Sequence, residues 1–289
     1  MQVEALQPFG ARIHELDISR PLTRDQIAAV FAAFNEHAVL VFPQQQLDDD
    51  LQTAFSAQFG ALEASLTQLR LQQRIRNLRP EISDLSNIDE QGRILPLDHL
   101  GNMLWHSDSS YKPVPALASI LSAREVPPTG GETEFADLRA AWDALPQERR
   151  AGIDKMVAEH SLVYSRKQIG YEFNAQEAAS LGFANQALVR TLHVSGRRTL
   201  YLSSHASHIL GMPVDAGRAL LQELLEFATQ PKFVYRHRWK SGDVVMWDNR
   251  CTLHRLRPWE MDRYKRVMRR TTLAGVNPTV VNGVPATAG

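Results

Sequence analysis

Residues 242–259 read GDVVMWDNRCTLHRLRPW. Gly242 and Asp243 are a turn signal, and residues 244–247 form a short unbroken apolar run, the pattern of a buried strand. The run closes on Asp248, Asn249 and Arg250, which read as a polar hairpin, and His254 follows. A strand that ends this way can aim such a histidine back into the mouth of a sandwich or barrel.

A second stretch raises the same question. Residues 104–111 read LWHSDSSY, with His106 and Asp108 two positions apart. Side chains at that spacing on a strand share one face. One imidazole and one carboxylate are two of the three donors of a facial triad, which holds Fe(II) and leaves positions open for substrate and oxygen. The third donor is another histidine. The chain has ten, so scarcity does not choose it, but the context of His254 does. A lone His-x-Asp also arises by chance, with the histidine packed in a strand and the aspartate solvated.

The chain has 289 residues, 44% apolar and 22% charged, which suits one elaborated globular domain spanning residues 1–289. Lys plus Arg and Asp plus Glu are 32 each, so no net charge favours nucleic acid or an anionic membrane. The basic run 263–270 needs a local explanation. Alternation along a strand would bury one set of its arginines and expose the other. The lone cysteine, Cys251, allows no intrachain disulfide and no Cys-based zinc site. It reads as a small buried side chain. No secretory signal and no run of 18 apolar residues is present, so a cytoplasmic protein is expected.

Short strands bounded by turn signals, with helices inserted between them, predict a mainly β fold. No βαβ alternation or glycine-rich phosphate turn supports a doubly wound sheet. Residues 1–20 suggest a short entering strand. A helix is predicted after Thr23, with Thr23 or Asp25 as cap, and a second over the DDDLQTAFSAQFG stretch ending at Gly60. Residues 39–42 read as a buried strand. Helical pieces are expected over 137–145 and 147–159, and the clearest helix over 215–229, ended by Pro231. Strands are expected over 188–192, 200–203, 233–239, 244–247 and 267–273. Residues 61–100 show little periodicity and read as a lid or binding loop or a disordered stretch. Residues 163–186 show no firm pattern, and 277–289 read as a loose tail.

Taken together, GNMLWHSDSSY (101–111), PPTGGETEFADLRAAWDALP (127–146), GDVVMWDNRCTLHRLRPW (242–259) and RVMRRTTLAG (266–275) resemble the Fe(II)- and 2-oxoglutarate-dependent dioxygenases of the taurine and phenoxyacetate dioxygenase (TauD/TfdA) family. HASHILGMPV and EFATQPKFVYRHRW resemble its aryloxyalkanoate branch most. The resemblance implies a double-stranded β-helix (jelly-roll) core. It implies His106, Asp108 and His254 as catalytic iron ligands. It implies Thr133 and Arg266 at the distal carboxylate of 2-oxoglutarate, Arg270 at the cosubstrate or the substrate's acid group, and Asn102 near both acids. A slip of one residue would bring in Lys265 and Arg269 instead. Arg266 and Arg270 are four apart, so on a strand they share a face, and guanidinium forks match carboxylates.

The implied reaction couples 2-oxoglutarate and O2 to hydroxylation of an aryloxyalkanoate. The resulting hemiacetal collapses to a phenol and a 2-oxo acid, with succinate and CO2 as the other products. The implied partner is a small carboxylate, and a homo-oligomer is expected. Where taurine-type members carry a His and a Tyr after the early Phe-Gly, this chain has Ser65 and Gln68. That disfavours an alkyl sulfonate, though a sulfonate, sulfate ester or other small acid remains the alternative substrate. A non-catalytic acid-binding jelly roll and a zinc hydrolase are readings of other classes. Intact His106, Asp108 and His254 oppose the first, and paired arginines with Thr133 oppose the second. His205 and His208 are either in a pocket loop or on the polar surface. Trp105, Trp247 and Tyr111 are expected in the core or just behind the site.

Overall fold

The computed structural model describes residues 1–65, 79–95 and 100–286. Its largest sheet has seven strands. In spatial order they are β1 (Gln2–Ala5), β2 (Ala11–His14), β3 (Val39–Phe42), β13 (Val244–Asp248), β5 (Ala118–Glu125), β15 (Val267–Leu273) and β4 (Ser83–Asp84). All pairings are antiparallel except β2 with β3. Facing it is a three-stranded antiparallel sheet, β12 (Val234–His237), β6 (Thr133–Asp137) and β14 (Thr252–Leu256).

The unbroken apolar run of β3 is explained by cover on both faces. Val39 and Val41 point between the sheets and pack with Leu121, Phe135, Tyr235, Val245, Trp247 and Met268. Leu40 and Phe42 point the other way, against α1 (Arg24–His37) and α2 (Asp49–Ala57). Thr23 caps α1 in a reciprocal capping box with Gln26, and Asp48 caps α2. Such caps satisfy backbone donors that the first turn leaves open. Val30 and Phe34 of α1 are fully buried, and each contributes roughly 2 kcal/mol through apolar burial.

The outer face of the small sheet is covered in turn. Ala136 and Leu253 pack against α4 (Leu138–Ala144) and α8 (Val214–Ala228). The same cluster takes in residues of the sheet β11 (Ala206–Ile209), β7 (Val157–His160), β8 (Ala184–Ala187) and of the pair β9 (Val189–Thr191), β10 (Arg198–Leu200). Short helices α3 (Leu100–Met103), α5 (Gln147–Ile153), α6 (Leu162–Lys167) and α7 (Ala175–Leu181) complete the described elements before the C-terminal pair β16 (Val280–Val281) and β17 (Val284–Pro285).

Several expectations change. The helix expected over 147–159 stops at Ile153, and 157–160 is β7, because that segment pairs on both sides with β8 and β11. The strand expected over 200–203 is instead β10, over 198–200. The polar stretch 248–250 makes no hairpin within one sheet. It carries the chain from β13 in the large sheet to β14 in the small one. The tail from 277 is ordered as the β16–β17 hairpin through residue 286, docked beside β8. Residues 163–186, without pattern in the sequence, hold α6, α7 and β8, both helices opened by side-chain caps. Of the expected lid over 61–100, residues 66–78 and 96–99, Gln68 among them, lie outside the described residues. Ser65 is buried and accepts a hydrogen bond from Ser83.

Candidate active site

His254 sits in the middle of β14, opposite Phe135 of β6. On its other side β14 accepts one more residue, His106. The His106 N–H donates to the His254 carbonyl at 3.0 Å, and the His254 N–H donates back at 2.8 Å. Directly opposed residues project to one face, and the two imidazole centroids are 4.1 Å apart.

Asp108 does not share a strand face with His106, as the spacing suggested. It opens a turn in which Ser109 takes a left-handed φ of 55° and the Lys112 N–H closes on the Ser109 carbonyl. Asn249, in the crossover between sheets, carries Asp108 into place. Its side-chain oxygen accepts from the Asp108 N–H at 3.2 Å and from the Trp247 indole at 3.0 Å. Its amide donates to Ser119, and the Ser119 hydroxyl donates to Asp108 Oδ2 at 2.7 Å.

The outcome is one buried cluster. Asp108 Oδ1 is 3.9 Å from His106 Nε2, and Oδ2 is 3.6 Å from His254 Nε2. All three ligand atoms lie within 4.8 Å of one another. Arg270 Nη1 donates to Asp108 Oδ1 at 2.6 Å. Burial opposes a charge on Asp108, but the Arg270 guanidinium, with the Ser119 hydroxyl, outweighs it and holds its carboxyl well below the usual range. Burial also pushes both imidazoles below the ordinary histidine value, against the pull of the neighbouring carboxylate. His106 Nδ1 donates to the Leu104 carbonyl at 2.8 Å, which leaves the Nε2 lone pair facing the cluster.

His106 and His254 also line a pocket with Asn102, Thr133, Arg266, Arg270, Leu121 and Trp247. The rest of the expected set therefore converges on one cavity. Arg266 is buried, with no carboxylate partner among the described residues. Its Nε donates to the Gly131 carbonyl at 3.1 Å, and its guanidinium lies 5.6 Å from the Trp259 ring centre. Burial pushes it down to about 9, so it is still a cation at neutral pH. Gly131 has φ +68°, and a Cβ there would come within 3.2 Å of Arg266 Cδ; a glycine suits both constraints. The Thr133 hydroxyl accepts from the Trp239 indole at 3.0 Å, so its own proton is free to point into the pocket.

Arg269 points away from the pocket. It bonds Asp84 at 2.6 Å and Ser86 at 2.7 Å. Alternation along β15 thus separates Arg266 and Arg270 from Arg269, and the pocket is lined by the first two. His205 is buried rather than on the surface. Its Nδ1 meets the Ser110 and Ser203 hydroxyls, and its ring lies 6.1 Å from that of His106. His208 is half-buried beside Glu159. Trp105, Trp247 and Tyr111 are buried, and so is Cys251.

Residues 2–272 match the family described as Taurine catabolism dioxygenase TauD, TfdA family. The chain belongs to this family. As a TauD/TfdA member it is an Fe(II)- and 2-oxoglutarate-dependent dioxygenase that uses O2. It is 42% identical over 272 residues to the alpha-ketoglutarate-dependent 2,4-dichlorophenoxyacetate dioxygenase of Cupriavidus pinatubonensis, covering 92% of this chain and 94% of that protein. It is 40% identical to the (S)-phenoxypropionate/alpha-ketoglutarate-dioxygenase of Sphingobium herbicidovorans, covering 84% of each. Among solved structures it resembles AAD-2 in complex with Mn(II) and N-oxalylglycine. That match has a TM-score of 0.89 and 46% identity, over 97% of this chain and 99% of that one.

The donor set suits the family's metal. Two neutral imidazoles and one ionised carboxylate, all buried, form the mixed nitrogen and oxygen environment that Fe(II) takes. Four supporting residues escaped the sequence reading. Asn249 stood in the quoted WDN and could have been singled out as a buried polar group. Ser119 and Trp239 act only across strands, and Asn87, whose Oδ1 accepts from the Arg266 N–H at 2.6 Å, lies in the stretch without periodicity. Trp239 closes the family-like EFATQPKFVYRHRW segment, and neither Ser119 nor Asn87 carried a local signal.

Proposed function

We propose that this TauD/TfdA enzyme hydroxylates an aryloxyalkanoate, a phenoxy acid, with cleavage of the ether to a phenol and a 2-oxo acid alongside succinate and CO2. The observation that carries the reading is a buried His-Asp-His cluster whose two histidines line one pocket with a buried arginine that has no counter-anion among the described residues. The names of the 2,4-dichlorophenoxyacetate and phenoxypropionate relatives support the substrate class. We also read the two facing sheets as a double-stranded β-helix, with the cluster at its mouth. The cytoplasm, a homo-oligomer and a small carboxylate as the only partner, without nucleic acid or membrane, remain part of this reading. Among the described residues no helix is long and apolar enough to cross a membrane.

In this reading His106, Asp108 and His254 hold the metal. Bound there, iron supplies the redox chemistry that couples decarboxylation of 2-oxoglutarate to oxygen insertion at a substrate C–H bond. Arg266 and the Thr133 hydroxyl receive the distal carboxylate of 2-oxoglutarate. A buried carboxylate needs such partners to offset its desolvation, and the fork geometry fixes its orientation as well as its charge. Arg270 holds Asp108 ionised and lies within reach of the substrate's acid group. Asn102 offers an amide on the pocket wall. Leu121, Trp247 and Leu256 keep the site poor in water, which strengthens each of these polar contacts.

The test is succinate formation with Fe(II), ascorbate, O2 and 2-oxoglutarate, run against phenoxyacetates, both enantiomers of 2-phenoxypropionates, alkyl sulfonates and sulfate esters. Stimulation by phenoxy acids alone is expected. Stimulation only by sulfonates or sulfate esters would replace the substrate, and the absence of succinate with iron bound would reject the reaction.

A further inference from the structure

The turn that carries Asp108 is gripped from three sides, and one grip comes from the far end of the chain. Asn249 holds its start, as described. Glu63 accepts from the Ser109 hydroxyl at 2.7 Å and from the Lys112 ammonium at 2.6 Å. The third grip is Gln186 of β8, which is fully buried. Its amide donates to the Ser110 carbonyl and to the Lys112 carbonyl, both at 2.8 Å. Its side-chain oxygen accepts a short hydrogen bond from the Thr279 hydroxyl. Thr279 is 2% exposed, and its hydroxyl in turn accepts from the Ala187 N–H at 3.0 Å. The Thr279 carbonyl accepts from the Ala286 N–H, which closes the β16–β17 hairpin over it.

We propose that Gln186 and Thr279 are positioning residues for the metal site, with the C-terminal hairpin acting as a strap that fixes the 108–112 turn and with it the Asp108 carboxylate. A primary amide with both N–H groups on carbonyls and its oxygen on a hydroxyl has one orientation open to it. The two carbonyls it holds, those of Ser110 and Lys112, lie in the second half and at the end of a turn whose left-handed residue, Ser109, directly follows Asp108. Among the described residues, no other hydrogen bond ties those two carbonyls to β8. Outer groups that orient a metal ligand set affinity without touching the metal. The inference rests on the reading of His106, Asp108 and His254 as the metal site.

The test is anaerobic equilibrium binding of Fe(II) alone to the full chain, with circular dichroism to show folding. Gln186→Met keeps length and removes the donors, and Thr279→Val keeps shape and removes the hydroxyl. Gln186→Met should bind Fe(II) about 10-fold more weakly, Thr279→Val a few-fold more weakly, and Thr279→Ser as the unaltered chain. Turnover of Gln186→Met should recover at saturating Fe(II), a loss in metal affinity rather than in chemistry. Leu225→Ala, a packing change in α8, controls for general destabilisation and should leave Fe(II) affinity unchanged. Unchanged affinity in both folded Gln186→Met and Thr279→Val would overturn the proposal. So would an equal loss in Leu225→Ala at matched melting temperature. If the unaltered chain binds no Fe(II), the metal-site reading itself fails and the strap falls with it.

Discussion

Arg266 and Arg270 lie four residues apart, face one pocket and are the same side chain, yet their situations differ. Arg270 already has its anion, Asp108 at 2.6 Å. Arg266 has a backbone carbonyl and an aromatic ring and is buried without a carboxylate partner among the described residues. One guanidinium belongs to the resting protein, where it keeps a ligand carboxylate charged. The other is a desolvated cation with a carbonyl and an aromatic ring beside it, and on the proposed reading it gains its anion when 2-oxoglutarate binds. On the same reading, a pocket with one charge satisfied and one unsatisfied receives an acid at a defined end.

The harshest way to break this contrast is to remove the anion. Asp108→Ala takes away a ligand and leaves Arg270 unpaired, so iron-dependent turnover should be abolished while circular dichroism shows a folded protein. Full activity would remove the metal assignment. His106→Ala should behave alike.

Arg266→Met comes next and separates the two arginines most clearly. Losing one partner of a buried charge pair costs several kcal/mol, so the KM for 2-oxoglutarate should rise about 100-fold. The ligand-free variant should melt no lower than the unaltered chain, because the lost charge had no anion to satisfy. A lower melting temperature with unchanged KM would reverse the roles.

Arg270→Met should do the opposite, destabilising the ligand-free protein. The sign with pH follows from Asp108. Its native carboxyl is held below the ordinary value, so the stability it contributes is complete above the unfolded value of about 3.9 and is lost as pH falls through the native one. Without Arg270 burial gains weight and raises that native value. Fe(II) binding, followed from neutral pH downward, should then fail at a higher pH than in the unaltered chain.

A smaller effect is expected at Trp239→Phe, which removes one hydrogen bond to Thr133. About 1 kcal/mol corresponds to a KM for 2-oxoglutarate raised roughly 5-fold, with kcat little changed. The smallest effect on turnover is expected at Arg269→Ala, on the opposite face of β15. It takes the guanidinium away from the largely buried Asp84 and should lower stability by a few kcal/mol in chemical denaturation, with both kinetic constants unmoved.

How much of this could be read from the chain follows the reach of each signal. Thr23 with Gln26, the run at 39–42, the stripe of α8 and the alternation of 266 to 270 are local patterns, set by neighbours within one turn or one pleat, and the sequence displays them directly. The segments around His106, Thr133, His254 and Arg266 were legible through their resemblance to the TauD/TfdA family. What failed was non-local. Residues 157–160 became a strand because two other strands flank them, and the tail from 277 became a hairpin because β8 offered it a buried partner. His106 and Asp108 share a site through a bridge to β14 and a turn held by Asn249, not through the period of a strand.

By itself, then, the sequence determined which side chains could do the chemistry, since residue type and local spacing are written in it. Only the tertiary structure decided which of them meet, which arginine is already paired and what grips the Asp108 turn. Those contacts include pairs 141 and 162 positions apart, and no local pattern records a partner at that distance.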